Sequence, residues 1–438
     1  MTVLAFIVGV LVLVVGLAVS IALHEVGHLA PAKAFRVRVS QYMIGFGPRI
    51  FSRRIGETEY GFRLLPLGGF ISMAGMYPPS KAAAAGEPEG GPVRRRRLFE
   101  AMIQDARVVN EETLQGDGAE RAFYRLPVYK RVIIMLGGPV MNLVLAVILF
   151  GIVFSGIGLQ TATTTVAAVN ECVLPAGTSQ TACAPEDPAS PAAAAGIRPG
   201  DVLVSVDGTA VDTFAEASAI IQKSPGATLP VVVDRDGRRE TLQVTPVLAT
   251  RQIAGEDGTS KTAEVGFVGM TATVARVPQP IWDGPQAAIE QTGRVMGIIW
   301  QLPARVYQTA VDTFTGAGRD PNGPLSVVGA GRIAGEVAAT EAPVLDRISG
   351  MLTLLGSLNI ALFVFNLVPL LPLDGGHIVV ALWDGLKRAW ARLTGRRAPR
   401  PVDATKLVPV TYVVVIGLIL MGGTLILADI VNPVQLFG

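Results

Sequence analysis

Residues 2–23 form an unbroken apolar run without a single charged side chain, and the run ends in "ALHEVGHLA", Ala22 to Ala30. A stretch of that length and composition crosses about 30 Å of hydrocarbon as a helix, so its end is committed to membrane depth. On a helix the imidazoles of His24 and His28, four residues apart, stand on one face with Glu25 beside them. This is the HExxH spacing in which two histidines hold zinc and the glutamate serves as a base. Ionisable groups inside a membrane are costly and normally functional, so the position of the motif strengthens its chemical reading.

Half of the residues are hydrophobic and only 16% are charged, which marks a membrane protein. Four segments are apolar enough to span, about 2–23, 132–159, 350–373 and 408–428. The first lacks a basic leader, and cleavage within it would strip the HExxH of its helix, so a retained span is expected rather than a signal peptide. Lys and Arg number 17 between Lys33 and Arg131 and 7 between Lys387 and Lys406, against 13 in 159–348. The positive-inside rule therefore puts both basic loops in the cytoplasm, and the long central region and both termini outside. A net charge of +2 gives no reason to expect a nucleic-acid partner, and the four arginines Arg94–Arg97 read as a solvated, orientation-setting loop. Cys172 and Cys183 fall in the outside region, where an oxidising environment favours a disulfide over a free thiol pair.

The chain has three histidines, and the third, His377, lies in "NLVPLLPLDGGHIVV" at the end of the third apolar segment. Zinc with two histidines wants one more protein ligand and leaves a place for water. Asp374 is the leading candidate, since its segment end and that of His24 fall at similar depth. His377 is the rival, three residues on.

With these residues in view, the chain resembles the site-2 proteases, intramembrane zinc metalloproteases, and within them the bacterial branch with an extracytoplasmic PDZ domain, most closely the actinobacterial members. His24, Glu25 and His28 match the family HExxH, and Asp374 the LDG aspartate. "GGPVMN" (Gly137–Asn142) matches GGPxxN on the second span. Residues from Gly45 to Phe70 resemble a membrane-associated β-hairpin, and Asn366 and Pro369 match the Asn-x-x-Pro before LDG, with Asn359 an earlier matching asparagine. Pro372 stands one place later than in the commonest pattern, and one PDZ-like unit stands where many relatives have two.

The resemblance implies a polytopic α-helical membrane protein with four transmembrane helices, a membrane-associated β-hairpin sheet and one PDZ-like α/β domain. The expected organisation begins with a first span carrying HExxH (1–36), the sheet (37–76), a basic cytoplasmic loop (77–130) and a second span (131–160). There follow a PDZ-like domain (161–250), an extracytoplasmic connector with amphipathic helices (251–348), a third span with LDG (349–386), a cytoplasmic loop (387–407) and a fourth span with the C-terminus (408–438). The setting would be the bacterial inner membrane, with the active site near the cytoplasmic side.

Independently, "AAAAGIRPGDVLVSVDGTAV" reads as turn, strand and tight Asp207-Gly208 turn, "TFAEASAIIQ" as a helix capped by Thr213, and Asp236-Gly237 as a hairpin turn. Such elements occur in many small β domains besides PDZ. The segment 251–261 reads as a polar connector and 81–93 as low complexity. Residues 281–314 have helical spacing interrupted by Pro303, fitting a helix on the outer membrane face or packed on the PDZ-like unit. The small residues after Gly323 suit close helix packing.

The expected chemistry is peptide hydrolysis with Zn²⁺ on His24, His28 and Asp374 and Glu25 as general base. The substrate implied by the family is a single-span membrane protein already trimmed outside, such as an anti-sigma factor or a remnant signal peptide, unwound in the lipid bilayer. Asn359, Asn366 and Pro369 would hold its backbone, with helix–helix bonding the alternative for the asparagines. Gly137, Gly138 and Pro139 would break the second helix to admit water. The PDZ-like domain would act as a size filter that admits only trimmed substrates, with capture of a new C-terminus the competing idea. A catalytically dead scaffold or a metal transporter using the same ligands are the alternatives.

Overall fold

The computed structural model describes residues 2–76, 113–114, 116–173, 182–184, 187–254, 260–316, 318–320, 323–397, 401–402 and 407–434. The arginines Arg94–Arg97 and the segment 81–93 lie outside the described residues. The chain divides into two compact units, one made of Met1–Gly156 with Pro280–Gly438, the other of Ile157–Gln279.

The first unit is helical. Helix α1 (Thr2–Ala34) is followed by strands β1 (Val39–Ile55) and β2 (Thr58–Met73), then α2 (Val128–Gly151). After the second unit come α4 (Asp283–Ile299), α5 (Leu302–Thr315), α6 (Val327–Ala339), α7 (Val344–Asn366), α8 (Asp374–Leu393) and α9 (Val408–Val431); α3 lies in the second unit. Among the described residues, four helices are long and apolar enough to span a membrane: α1, α2 with its π-helical continuation to Ile157, α7 and α9. Their outward residues, among them Val3, Leu11 and Val15 of α1 and Val413, Ile419 and Leu420 of α9, are exposed. Water would penalise that arrangement, and lipid tails would not.

Small residues let these helices touch. A Cβ on Gly27 would fall 2.2 Å from the Gly137 carbonyl oxygen, and one on Gly137 would fall 1.9 Å from that of Gly27, so α1 and α2 meet backbone to backbone. Gly9 likewise lies against Ala334 of α6, and Gly356 of α7 against Phe150 of α2. The glycines do not break α2, which runs without interruption through Pro139. A proline deletes one N–H, and α1 and α7 on either side hold the rest of the helix in line.

Other expectations also need correction. The third span ends at Asn366 instead of running to 373, and Asp374 opens a separate helix. Pro369 and Pro372 cannot donate the N–H groups a continuing helix needs, so 367–373 is a series of turns. Helix α8 then continues to Leu393, through the boundary at 386 and into the segment expected as a loop. Helix α4 packs on α2 and α7. Pro303 stands in the first turn of α5, where its missing N–H costs nothing.

The hairpin β1–β2 is bent into four segments. Residues 41–44 pair with both 69–72 and 59–62, and 59–62 also pair with 51–54, so 69–72 forms one edge. The Tyr42 hydroxyl ties the sheet to α1 by donating to the Ala22 carbonyl at 2.7 Å.

The second unit is a sheet in the order β10-β3-β4-β6-β7, from β3 (Leu159–Val169), β4 (Val202–Val206), β6 (Leu229–Arg235), β7 (Arg238–Val244) and β10 (Met270–Val277), with β5 (Thr209–Ala210) on β4. Helix α3 (Phe214–Gln222) starts with a capping box between Thr213 and Glu216. Asp207-Gly208 and Asp236-Gly237 take the positive φ angles of tight hairpin turns, as their sequence demands. The unit extends to Gln279, past the expected limit at 250. The supposed connector forms part of the pair β8 (Val247–Ala254) and β9 (Ser260–Phe267), and β10 pairs with β3. The polar tip of that hairpin hid two strands. Cys172 and Cys183 are disulfide-bonded.

Candidate metal centre

Helix α1 presents His24 and His28 on one face as their spacing requires. Asp374 reaches them from the first residue of α8, where a carboxylate also suits the positive end of the helix dipole. Two glycines allow this approach: a Cβ on Gly375 would fall 2.4 Å from the Leu367 and Val368 carbonyl oxygens, and one on Gly376 would fall 2.6 Å from the Leu371 nitrogen. The start of α8 is thereby tucked under the proline turns.

The three facing atoms form a near-equilateral triangle. His24 Nε2 and His28 Nε2 are 3.2 Å apart, and each is 3.3 Å from Asp374 Oδ2. Zinc bonded tetrahedrally at about 2.0–2.1 Å has ligand–ligand edges of about 3.3–3.4 Å, so the side chains fit the ion without rearrangement. Among the described residues no group donates a hydrogen bond to the buried Asp374 Oδ2. An orphaned carboxylate oxygen facing two imidazole nitrogens is what a cation would satisfy. These are the only described residues that gather into such a His/Cys/Asp/Glu group, and His377 is not among them.

The imidazoles are braced from α2. His28 Nδ1 lies 2.7 Å from the Ile134 carbonyl oxygen, which only an N–H can satisfy, and this leaves Nε2 with its lone pair. His24 Nδ1 lies 3.1 Å from Asn142 Nδ2, while Oδ1 of that buried amide has no partner. Turning the amide over presents Oδ1 to an Nδ1–H and frees Nε2 of His24 in the same way. Gly138 faces the triangle directly, since a Cβ there would fall 2.2 Å from His28 Nε2 and 2.7 Å from His24 Nε2. In the sequence Gly138 and Asn142 stand out only as part of the GGPVMN match, with nothing to place them at the metal. Their spacing on α2 was a usable signal, though the facing helix is over a hundred residues away.

Glu25 is buried, and its Cγ lies against Gly69 on the edge of the sheet, where a Cβ would approach to 3.0 Å. Asn359 has no exposed surface, and its Nδ2 donates to Ser20 Oγ at 2.9 Å and the Leu355 carbonyl at 2.8 Å. Its amide bonds α7 to α1, the alternative weighed against substrate contact. Asn366 is half-buried at the end of α7, and Pro369 is exposed in the turns that follow.

A sequence model of peptidase family M50 matches residues 12–400. The zinc metalloprotease Rip1 of Mycobacterium tuberculosis H37Rv is 34% identical, with 99% of each chain covered. Rip1 of Mycolicibacterium smegmatis is 33% identical over 98% of this chain and 99% of its own. Metalloprotease MmpA of Caulobacter vibrioides is 28% identical over 88% of each.

Proposed function

This chain belongs to peptidase family M50, the site-2 protease family of zinc metalloproteases, and on that premise we propose that it hydrolyses a peptide bond in or beside the transmembrane segment of single-span membrane proteins. The observation that carries the reading is the His24–His28–Asp374 triangle at the end of a spanning helix, with Glu25 beside it. Zinc held there supplies Lewis acidity toward a peptide carbonyl and acidity to a water. Glu25 takes the proton from the attacking water and returns it to the leaving amine nitrogen.

A transmembrane helix hides its carbonyls in its own hydrogen bonds, so the substrate has to unwind. The edge at 69–72 passes Glu25 at Gly69, and an unwound strand paired to it by β-addition runs past the base. Asn366 at the end of α7 and Pro369 in the turns between it and Asp374 are the candidates for holding the substrate backbone. The distribution of Lys and Arg supports a bacterial inner-membrane protein with termini and second unit outside and the zinc site near the cytoplasm.

The second unit is read as a PDZ-like domain. A cavity of about 210 Å³ lies between α3 (Phe214, Ser218, Ile221), the β8–β9 pair (Arg251, Val265, Phe267) and the turn leading into the edge strand β10. Gly266 has no room for a side chain, its Cβ position being 2.2 Å from the Ile221 carbonyl oxygen. A cavity beside a helix that opens at the start of an edge strand suits a newly cut C-terminus, which supports capture over size exclusion. Deleting 157–279 should then abolish cleavage of trimmed substrate; release of untrimmed substrate instead would support exclusion.

The decisive experiment on the chemistry is Glu25→Gln in the full chain. Hydrolysis of a trimmed single-span substrate should fall by about 10²–10⁴-fold while zinc content stays at the wild-type level. Unchanged hydrolysis would remove Glu25 from the mechanism.

A further inference from the structure

Helix α8 is amphipathic but is not one of the four spans. Its buried face, with Ala381, Asp384 and Ala391, packs toward α2, where Asp384 pairs with Arg131 at 3.1 Å. On the other side Val379, Leu382, Trp383, Leu386, Trp390 and Leu393 are all exposed, from 47% at Val379 to 83% at Leu393. At about 100° per residue they fall within an arc of about 100°, a continuous apolar stripe along about 20 Å of helix. Beside it, Trp383, Leu386 and Trp390 line a hollow of about 570 Å³ that Lys387, Arg396 and Arg397 also border.

Two observations say what covers this face. Helix α8 begins eight residues after the spanning helix α7 ends, and the spanning helix α9 begins fifteen residues after α8 ends, so both of its ends are tethered to the bilayer. The charged groups that border the stripe are cations: Lys387, whose ammonium also reaches Asp384 Oδ1 at 3.3 Å, stands at its margin, and Arg396 and Arg397 follow just beyond the helix end. Indoles and leucines on one side with guanidinium and ammonium groups beside them match the boundary between acyl chains and anionic headgroups.

We propose that α8 is an interfacial helix lying in the plane of the bilayer, and that the hollow holds an anionic phospholipid, its phosphate on Lys387, Arg396 and Arg397 and an acyl chain along Trp383, Leu386 and Trp390. The same helix carries Asp374 as its first residue, so the lipid surface that seats the helix also sets the depth of that carboxylate.

Four tryptophans are present, and replacing Trp282 and Trp300 by Phe leaves Trp383 and Trp390 as reporters on α8. The full chain would be placed in nanodiscs of phosphatidylcholine with phosphatidylglycerol, with zinc content as the folding control. Phospholipids brominated at shallow acyl positions should quench the two indoles at least about twofold more than deeply brominated ones, and aqueous acrylamide should quench them weakly. Strong acrylamide quenching without bromolipid quenching would overturn the proposal in favour of water or a soluble partner. Shielding from both quenchers would overturn it in favour of a protein cover, such as a second copy. A second measurement uses otherwise unsubstituted protein and fluorescent phosphatidylglycerol. Arg396→Gln and Arg397→Gln should each weaken binding by about fivefold, from about 1 kcal/mol per cation near the surface, and leave phosphatidylcholine binding unchanged. Equal losses for both lipids, or none, would remove the headgroup site.

Discussion

Asp429 in the last turns of α9, buried, and Asp374 at the start of α8, half-buried with its Oδ2 enclosed, are both acids beside spanning helices, and their surroundings differ in kind. Asp429 Oδ1 accepts from Arg319, and its Oδ2 accepts from the Ser326 and Gly329 N–H groups at 2.7 and 3.1 Å. It closes the start of α6 onto α9, and Gly329 leaves it room. Asp384 is closed in the same manner by Arg131 and the Val402 N–H, and Asp201 in the second unit by a two-pronged Arg235 and the Arg198 N–H. Asp374 instead meets two imidazoles whose nearest atoms carry lone pairs once their other nitrogens are braced. Buried charge is tolerable only when compensated, so three closed carboxylates serve structure and the open one marks where a cation belongs.

The sharpest break of this comparison is removal of the open carboxylate. Asp374→Ala should empty the site of zinc while His377→Ala leaves zinc near the wild-type level, as measured by metal analysis of purified protein. The reverse pattern would transfer the ligand role to His377. At the closed corner, Asp429→Asn leaves the Arg319 guanidinium buried beside a neutral group and should cost about 3–5 kcal/mol of stability. Chemical unfolding of the detergent-solubilised protein checks this, and zinc content should not change. Loss of zinc without loss of stability would erase the distinction between the two acids.

Finer effects test the bracing of the imidazoles. Asn142→Leu should weaken zinc affinity by about 10–100-fold, and Asn142→Asp should restore most of it, because only an acceptor at that position holds Nδ1–H of His24. Titration with a competing chelator reads both; equal affinity in Asn142→Leu and wild type would make the asparagine a packing residue only. The smallest effect belongs to the second unit. Burial alone would raise the Asp201 carboxyl, but Arg235 and the Arg198 N–H hold it below its ordinary value. A depressed folded value means that the contribution to stability is complete above the ordinary carboxylate pKa and is lost as pH falls through the lower folded value. Thermal melts of the second unit should therefore lose stability below about pH 4, and Asp201→Asn should flatten that acid limb. An unchanged limb would place the acid sensitivity elsewhere.

Much of this was legible locally. A charge-free run long enough to cross a bilayer has only one economical conformation in lipid, and histidines four apart on a helix share a face whatever surrounds them. The tight turns at Asp207-Gly208 and Asp236-Gly237 and the Thr213 cap were readable because their chemistry lies within a few residues. Strands β8 to β10 were missed because a polar hairpin tip resembles a connector until β3 is seen pairing with β10. The preference for Asp374 over His377 rests in the sequence on depth alone, which hardly separates two residues three apart in one short segment while the other ligands lie about 350 residues away, and the family resemblance only adds to it. Only the packed helices decide which carboxylates are closed and which is open, that Gly138 keeps a side chain out of the metal position, and that Asn359 bonds to Ser20. Those facts are distances between segments remote in sequence, and a sequence sets such distances only through the whole of its folding.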